Sequence, residues 1–414
     1  MASVTFSPGR LSGQALVPPA KSEAHRALLL AAFSDRTCRL NGFPPPLCDD
    51  TIAMMNGITA LGATVHQEGT HLVVEPIPKE HPIQPTVDCC VHACAAELRM
   101  LIPAFLVRGQ AVRFHMEEGL FNRPLDAFEP LMRKLGAQMK RLPPKNGQKA
   151  VVEISGCMPA GNYEIDGSRS SQFASGMLIA LSQAAPSTLH VTGPIVSRPY
   201  LDMTLSLMKH FHVPFTEERE GVFSLSERTE ASPKEASVAG DWSQAAVFLC
   251  MNAMGSDITV DHLCAHGLQG DERIVEVLHA LKMGSRQIDC SDIPDLAPIL
   301  ALTCSQADGM STLTGVSRLR IKESDRLAAT QELLAKLGVK TEVSEDSDTL
   351  RIFGPAQLKG GFEAEARNDH RLVMFLAAAA LIADASITVH GAECLNKSWP
   401  GFLDTYRKLG GAAE

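Results

Sequence analysis

The sequence predicts an α/β protein of two domains. Three observations predict it: the length of the chain, a helix–Gly–strand unit that recurs along it, and a polar break near its middle. With 414 residues the chain is too long for one ordinary hydrophobic core, so two are expected. The recurring unit is an amphipathic helix, then a glycine or a stand-in, then a short alternating strand. It occurs at 54–61, Gly62 and 63–66 with 72–75; at 130–135, Gly136 and 137–141; and at 205–211, His212, 213–215 with 222–225. It returns at 274–283, Gly284 and 285–288; at 327–337, Gly338, 339–343 with 349–353; and at 402–409 with Gly410. A chain leaving a helix to enter a strand needs a left-handed residue, which glycine supplies without steric conflict. His212 replaces it once, and His tolerates positive φ better than most side chains. The copies lie about 70 to 76 residues apart, with one shorter step near 54, too long for a solenoid, so each reads as a small α/β subdomain. Any one Leu-Gly-Ala-like ending is an ordinary helix terminator; six in register form two groups of three. The polar stretch 227–235 sets the division near residues 237–240.

Composition narrows the function. Hydrophobic residues make up 45% and charged residues 21%, the balance of a soluble globular protein. No apolar run reaches the roughly 18 residues that span a bilayer, and no basic segment followed by an apolar stretch opens the chain, so no secretory signal is expected. Eleven cysteines, odd in number and irregularly spaced, fit reduced thiols in the cytoplasm better than a disulfide framework. A net charge of −9 argues against binding nucleic acid or an acidic membrane. A small anion remains open, and for that the local clustering of Lys and Arg decides.

Four polar strings carry such clusters. Lys21-Ser22-Glu23-Ala24-His25-Arg26 stands before 27–32, which reads as a helix start. Free N–H groups and the helix dipole favour an anion there, and Lys21, Ser22 and Arg26 add donors. An ordinary solvated first turn is the plain alternative. Asp166-Gly167-Ser168-Arg169-Ser170-Ser171-Gln172 enters a helix at Phe173, with hydroxyls and an amide that suit a phosphate or polyol. Ile321-Lys322-Glu323-Ser324-Asp325-Arg326 opens a helix at Leu327, where Lys322 and Arg326, at i and i+4, can share a face, with Lys–Asp and Glu–Arg surface pairs as the plain alternative. Asn368-Asp369-His370-Arg371 places another Arg at the mouth of a helix. A carboxylate candidate, Asp295, lies in Ile293-Pro294-Asp295-Leu296-Ala297-Pro298; among apolar residues it is partly desolvated and poised as a base, with a helix N-cap as the plain alternative. ATP and NAD lack support, since neither a GxxxxGK[ST] loop nor a dinucleotide fingerprint is present. Cys89-Cys90-Val91-His92-Ala93-Cys94 has no second pair at zinc-like spacing. No metal is expected.

Together with Asn122-Arg123-Pro124, Ser197-Arg198-Pro199-Tyr200, Gly240-Asp241, Gln269-Gly270-Asp271 and Lys397, these strings resemble, in order and spacing, the 3-phosphoshikimate 1-carboxyvinyltransferase (EPSP synthase) family over nearly the whole chain. The resemblance implies the two-domain enolpyruvyl transferase fold, an inverse α/β barrel with three α/β subdomains per domain and the substrates in the cleft between domains. It implies a chain that starts in one domain, builds the other and returns: residues 1–19 with 237–414, and 20–236. The implied reaction moves the enolpyruvyl group of phosphoenolpyruvate to the 5-hydroxyl of shikimate 3-phosphate by addition and elimination, on the route to chorismate and aromatic amino acids. Shikimate 3-phosphate would be held by Lys21, Ser22, Arg26, Ser170, Ser171, Ser197, Asp295 and Lys322, with Gln172 and Tyr200 beside the ring. Phosphoenolpyruvate would meet Lys21, Ala95, Arg123, Gln172, Arg326, Arg371 and Lys397, where Arg offers forked donors and Lys a compact charge. Asp295 and Glu323 would be the acid–base pair, with Lys21 assisting at the phosphate oxygen. No cofactor is implied, because the donor carries its own leaving group, and a monomer is the family expectation.

Two stretches depart from the family pattern. Ala93-Cys94-Ala95-Ala96-Glu97-Leu98-Arg99 puts Ala95 where the family has Gly, Ala96 in place of a hydroxyl, and an added acid, Glu97, after it. Pro19-Ala20-Lys21-Ser22 stands where Pro-Gly-Ser-Lys-Ser is usual. A methyl group at Ala95 crowds the donor pocket, so weaker phosphoenolpyruvate binding and less sensitivity to glyphosate, the family's inhibitor, are expected. Two alternatives are a paralogue with another acceptor, such as UDP-N-acetylglucosamine, and a non-catalytic anion-binding protein. Ser170-Ser171-Gln172 argues against the first, and retention of both Asp295 and Glu323 against the second.

Overall fold

The helix exits set the architecture. In the computed structural model, which describes residues 2–80, 82–145, 147–264, 268–284 and 286–414, the backbone turns left-handed at all six positions that the repeat marks. The φ angles are 106° at Gly62, 61° at Gly136, 55° at His212, 98° at Gly284, 83° at Gly338 and 95° at Gly410. The chain forms two units, Met1–Pro18 with Ala239–Glu414, and Pro19–Val238, and each has its own apolar core.

In the Pro19–Val238 unit, three four-stranded sheets share one pattern. Val87–His92 runs parallel to Val112–Met116, which is antiparallel to Ala150–Ser155, itself antiparallel to Gln138–Leu142. The same order recurs in Asn162–Asp166, Ser187–Thr192, Val222–Leu225 and Phe215–Arg219. It recurs again in Glu235–Ser237, Cys38–Asn41, His71–Glu75 and Thr64–Glu68. Three helices, Lys21–Ala32, Ala95–Arg108 and Ser171–Leu181, pack on one another and are buried on nearly every side. Their runs of Leu and Ala leave no broad polar face, which is the pattern of a core helix.

The other unit repeats the plan with omissions. Gln287–Asp289, Gly309–Thr314, Thr349–Gly354 and Lys340–Val343 make a complete sheet. In the second sheet Phe362–Glu365 is parallel to Ile387–His390, which is antiparallel to Ser3–Phe6. Its fourth strand shrinks to a bridge between Phe6 and Ala413, so Gly410 leads to almost no strand. The third sheet is only Ser12–Leu16 beside Asp257–Asp261. The helix Ile274–Lys282 and Gly284 lead not to a hairpin on that sheet but to Gln287–Asp289, which opens the next one; Ser285, in the fourth expected strand, lies outside the described residues. Helices Trp242–Ala253, Ala297–Cys304 and His370–Ile382 pack together at the centre.

The fold is therefore mixed α/β with repeated subdomains, three sheets to a unit. Among the described residues every sheet is open, so the expected inverse barrel is not a closed one: each sheet ends in edge strands and covers helices instead of meeting its neighbour. No described helix is long and apolar enough to cross a membrane.

Where the third sheet lacks a hairpin, a side chain takes over the edge. Asn252 Nδ2 donates to the Ile258 carbonyl at 2.7 Å, and its Oδ1 accepts from the Ile258 N–H at 2.8 Å. The amide thus pairs as a neighbouring strand would, and blunts an edge otherwise open to another chain. Ile258 is buried, so Asn252→Ala should destabilise the protein by about 1–3 kcal/mol, the penalty for stranding buried backbone groups. Denaturant unfolding measures it; an unchanged midpoint would show that water replaces the amide without loss.

Candidate active site

The Lys21 helix begins at Lys21 itself, six residues before the expected start at Ala27. Ala20 is its N-cap, and the Ala20 carbonyl accepts from the N–H groups of Glu23 and Ala24. Pro18-Pro19 keep the chain extended up to that point, and nothing from Lys21 to Arg26 breaks a helix, so the polar string forms the first turns. Lys21 Nζ lies 2.8 Å from Asp50 Oδ2, and Asp50 is buried in the first turn of the helix Asp49–Ala60. Arg26 is 2% exposed. Its Nε donates to Thr204 Oγ1 at 2.6 Å, Nη1 to the Ser22 carbonyl at 2.5 Å, and Nη2 to Ser175 Oγ at 3.2 Å and the Tyr200 carbonyl at 3.1 Å. The guanidinium ties together three helices, those starting at Lys21, Ser171 and Arg198.

Ser170 caps the Ser171–Leu181 helix, its Oγ accepting from the Gln172 N–H at 3.3 Å. Ser171 is buried in the first turn. Ser197 stands at the start of the Arg198–His210 helix with φ 53°, a left-handed conformation that costs a serine energy and concentrates at functional positions. Arg99, to which the sequence assigned no role, organises this end of the unit. Its Nη1 donates to Gln172 Oε1 at 2.9 Å, its Nη2 to the Pro124 carbonyl at 3.1 Å, and its guanidinium lies 4.7 Å over the Phe173 ring. With Oε1 engaged by Arg99, the Gln172 amide keeps its NH₂ end as a donor, and the Pro124 contact steadies the turn that carries Arg123. A buried Arg in an otherwise apolar helix leaves no sequence signal beyond its presence.

Ala95 is the first residue of the Ala95–Arg108 helix, not part of a loop, and is buried behind the N-cap Cys94. The neighbouring thiols do not converge: Cys89 and Cys90 alternate across the strand Val87–His92, and burial pushes the Cys89 and Cys94 thiols well above their ordinary range.

In the other unit, Asp295 occupies the short turn Pro294–Leu296 and caps no helix. Its Oδ1 receives Arg326 Nη1 at 2.8 Å and Lys322 Nζ at 3.1 Å, and its Oδ2 receives Arg371 Nη2 at 3.1 Å. Burial works to raise its pKa, but Arg371, Lys322 and Arg326 outweigh that and hold it well below the ordinary carboxylate value. The expected poised base is thus, with its cations around it, a firmly ionised one. Lys322 and Arg326 do not share a helix face: the helix Arg326–Lys336 starts one residue earlier than expected, at Arg326 behind the cap Asp325, and Lys322 is extended at φ −81°, ψ −158°. They meet on Asp295 instead.

Arg326 is fully buried. Besides Asp295 it donates to Asp369 Oδ2 at 2.9 Å, Asp369 Oδ1 at 3.2 Å and Glu323 Oε2 at 2.6 Å. Asp369 also accepts from Ser324 Oγ at 3.1 Å and caps the His370–Ile382 helix through the Arg371 N–H at 3.1 Å. Lys397 Nζ stands 3.7 Å from Glu323 Oε1. The structure therefore joins Asp295, Glu323, Lys322, Arg326, Arg371 and Lys397 in one network. It adds Asp369, to which the sequence assigned no role.

Residues 6–406 match the family model described as EPSP synthase (3-phosphoshikimate 1-carboxyvinyltransferase). The chain belongs to the EPSP synthase family. The 3-phosphoshikimate 1-carboxyvinyltransferase of Clostridium botulinum (strain Eklund 17B / Type B) is 32% identical over 434 residues, covering 99% of this chain and 98% of that protein. That of Clostridioides difficile (strain 630) is 33% identical, covering 100% and 99%. The fold is similar to a solved structure of EPSP synthase from Acinetobacter baumannii, with a TM-score of 0.78 at 22% identity, covering 100% of this chain and 99% of the other. An enolpyruvyl transferase from Streptomyces tendae gives a TM-score of 0.72 at 18% identity, covering 100% of this chain and 98% of the other.

Against the EPSP synthase pattern, Glu97 is an addition with a physical consequence. It lies in the first turn of its helix at 0% exposure, and neither carboxyl oxygen has a hydrogen-bond partner among the described residues. A Cβ at Gly57 would stand 3.4 Å from Oε1, so the carboxyl packs against the neighbouring helix. Burial, then Asp50 and Cys90, push its pKa well above the ordinary 4.5. A raised carboxyl binds its proton more tightly folded than unfolded, so stability falls as pH rises above 4.5 and stops falling only above the folded value. One such group gives at most about 1.4 kcal/mol per pH unit. Glu97→Gln should lose this slope. Denaturation midpoints at pH 5 to 8 would test it, and parallel trends in both proteins would assign the slope elsewhere.

Proposed function

We propose that this EPSP synthase family member transfers the enolpyruvyl group of phosphoenolpyruvate to the 5-hydroxyl of shikimate 3-phosphate through Asp295, Glu323 and Lys21. The observation that carries this assignment is the network itself: two partly exposed carboxylates, at 26% and 17%, among Lys322, Arg326, Arg371 and Lys397. Asp369 already gives these cations, through Arg326, a buried counter-charge; two further acids left partly exposed are explained when protons must also move.

A donor carboxylate and phosphate give Arg371 and Lys397 better partners than the protein acids. Each cation that turns to the ligand removes a force holding Asp295 or Glu323 ionised, so their proton affinity rises when there is a proton to take. In the addition, one acid group takes the proton of the 5-hydroxyl as its oxygen bonds to C2 of the donor, and another gives a proton to C3. In the elimination, C3 returns a proton, the C2–O bond to phosphate breaks, and the double bond re-forms. Lys21, held by Asp50 at 2.8 Å, supplies charge or a proton at the departing phosphate oxygen.

Ser22, Ser170, Ser171, Ser197, Tyr200 and Lys322 serve the acceptor. Arg123, Gln172, Arg371 and Lys397 serve the donor, with Ala95 beside it. Arg26 and Arg326, buried with their donors engaged by protein, act as braces beneath these groups. A buried methyl group at Ala95, at the start of its helix, supports weaker donor binding and lower glyphosate sensitivity. Eleven free cysteines support a cytoplasmic setting, and the family expectation supports a monomer.

Phosphate release from phosphoenolpyruvate, assayed with shikimate 3-phosphate and with UDP-N-acetylglucosamine, tests the reading. Release with the second acceptor alone, or with neither, overturns it. Asp295→Ala and Glu323→Ala should each lower kcat by about 100-fold or more; near-normal turnover in either variant removes that residue from the proton transfers.

A further inference from the structure

Thr204 and Ser175 stand outside every polar string of the sequence, yet their hydroxyls lie where three helix starts are tied together. Both side chains are fully buried. Thr204 lies in the second turn of the Arg198–His210 helix and Ser175 in the second turn of the Ser171–Leu181 helix, with their oxygens 2.7 Å apart. Arg26, from the Lys21–Ala32 helix, donates to both, through Nε to Thr204 at 2.6 Å and through Nη2 to Ser175 at 3.2 Å. Thr204 Oγ1 also stands 3.1 Å from the Tyr200 carbonyl, which receives Arg26 Nη2 at 3.1 Å as well.

Counting hydrogens gives each bond its direction. A guanidinium only donates, a carbonyl only accepts, and a hydroxyl has one hydrogen and two lone pairs. Thr204 gives its hydrogen to the Tyr200 carbonyl, so Ser175 is the donor in the contact between the two hydroxyls. Thr204 Oγ1 thus accepts from Arg26 and Ser175 and donates to Tyr200, which uses all of its bonding capacity. The guanidinium held in this way donates through Nη1 to the Ser22 carbonyl at 2.5 Å. The Tyr200 N–H in turn donates to the Ser197 carbonyl at 3.0 Å. The cluster therefore sets the backbone at Ser22, at Tyr200 and, through Tyr200, at Ser197.

We propose that Thr204, with Ser175 beside it, is a positioning residue for the acceptor: its hydroxyl orients Arg26 and so holds Ser22, Ser197 and Tyr200 in register with one another. The inference rests on the reading of those three as acceptor-binding groups. Asp295 and Glu323, to which the proton transfers are assigned, belong to the other unit, and Lys21 is held separately by Asp50. Loss of the hydroxyl should therefore weaken acceptor binding and spare the chemical step.

The test is kcat and the KM of each substrate for wild type, Thr204→Val and Thr204→Ser. Val keeps the shape and removes all three bonds; Ser keeps the hydroxyl. A buried guanidinium that loses an acceptor should raise KM for shikimate 3-phosphate roughly tenfold in Thr204→Val, with KM for phosphoenolpyruvate and kcat kept within about twofold. Thr204→Ser should restore the acceptor KM. An unchanged acceptor KM in Thr204→Val overturns the proposal. So does an equal rise in both KM values, which a loss of packing alone would give. Should Thr204→Val fail to fold, Ser175→Ala decides: it should raise the acceptor KM alone, by about threefold, and no rise overturns the proposal. Wild type that releases no phosphate refutes the functional reading alone. Exchange of the Arg26 Nε–H, followed by NMR on protein with labelled arginine, then still decides Thr204. It should be slow in wild type and Thr204→Ser and roughly tenfold faster in Thr204→Val; equal rates in all three overturn the proposal.

Discussion

A helix buried on every side still begins with N–H groups that no turn of its own can satisfy. Each unit buries three such helices, and their starts, at Lys21, Ala95 and Ser171 and at Trp242, Ala297 and His370, are where polar side chains must be concentrated. Three are closed by Ser170, Asp241 and Asp369. The others begin beside Lys21, Cys94 and the Asp295 turn without a side-chain cap. The same N–H ends attract anions, so a fold that packs its helices inward prepares anion-binding surfaces as a by-product of burying them.

Cations placed at such ends need counter-charges when no ligand is bound, since a buried, unpaired charge is strongly destabilising. Asp295, Glu323 and Asp369 supply them, but they are not equivalent. Asp369 is fully buried, caps a helix and meets Arg326 through both oxygens, so nothing is free to replace it. Asp295 is 26% exposed and shares Lys322, Arg326 and Arg371. A carboxylate that can exchange partners can change its proton affinity; one locked under a guanidinium cannot. Exposure, more than charge, separates the acid that can exchange partners from the acid that holds.

The six helix exits were legible because a left-handed residue must occupy each, and even the departure at His212 obeys the rule with φ 55°. The candidate residues stood out as polar strings, but their burial did not. Arg26 and Arg326 read as donors to a ligand because a sequence shows a guanidinium and not the Thr204, Ser175 or Asp369 that lies around it. Lys322 and Arg326 read as neighbours on a helix, although their meeting point is a carboxylate about 30 residues away in the chain. Asp50, Arg99 and Asp369 were missed for the same reason: each acts by a long-range contact that local patterning does not record.

The reduced subdomain shows which parts of the repeat this unit keeps. Its sheet has lost the antiparallel hairpin, yet Ser12–Leu16, Asp257–Asp261 and the helix Trp242–Ala253 between crossover and strand are kept. The hairpin is the outermost part of each repeat and only adds strands to the second one. The helix carries Asp241 at its start and receives the Gln269 clamp, whose amide bonds the Trp242 N–H and the Gly240 carbonyl, so it seats the turn Gly270–Arg273. Removing the hairpin exposes one edge, and the single amide of Asn252 closes it at Ile258. Removing the helix would leave the Asp271 turn without a seat and the unit without a third of its central packing. The inner helix–strand pair is the part that all six subdomains keep; the outer strands are reduced where a side chain blunts the exposed edge.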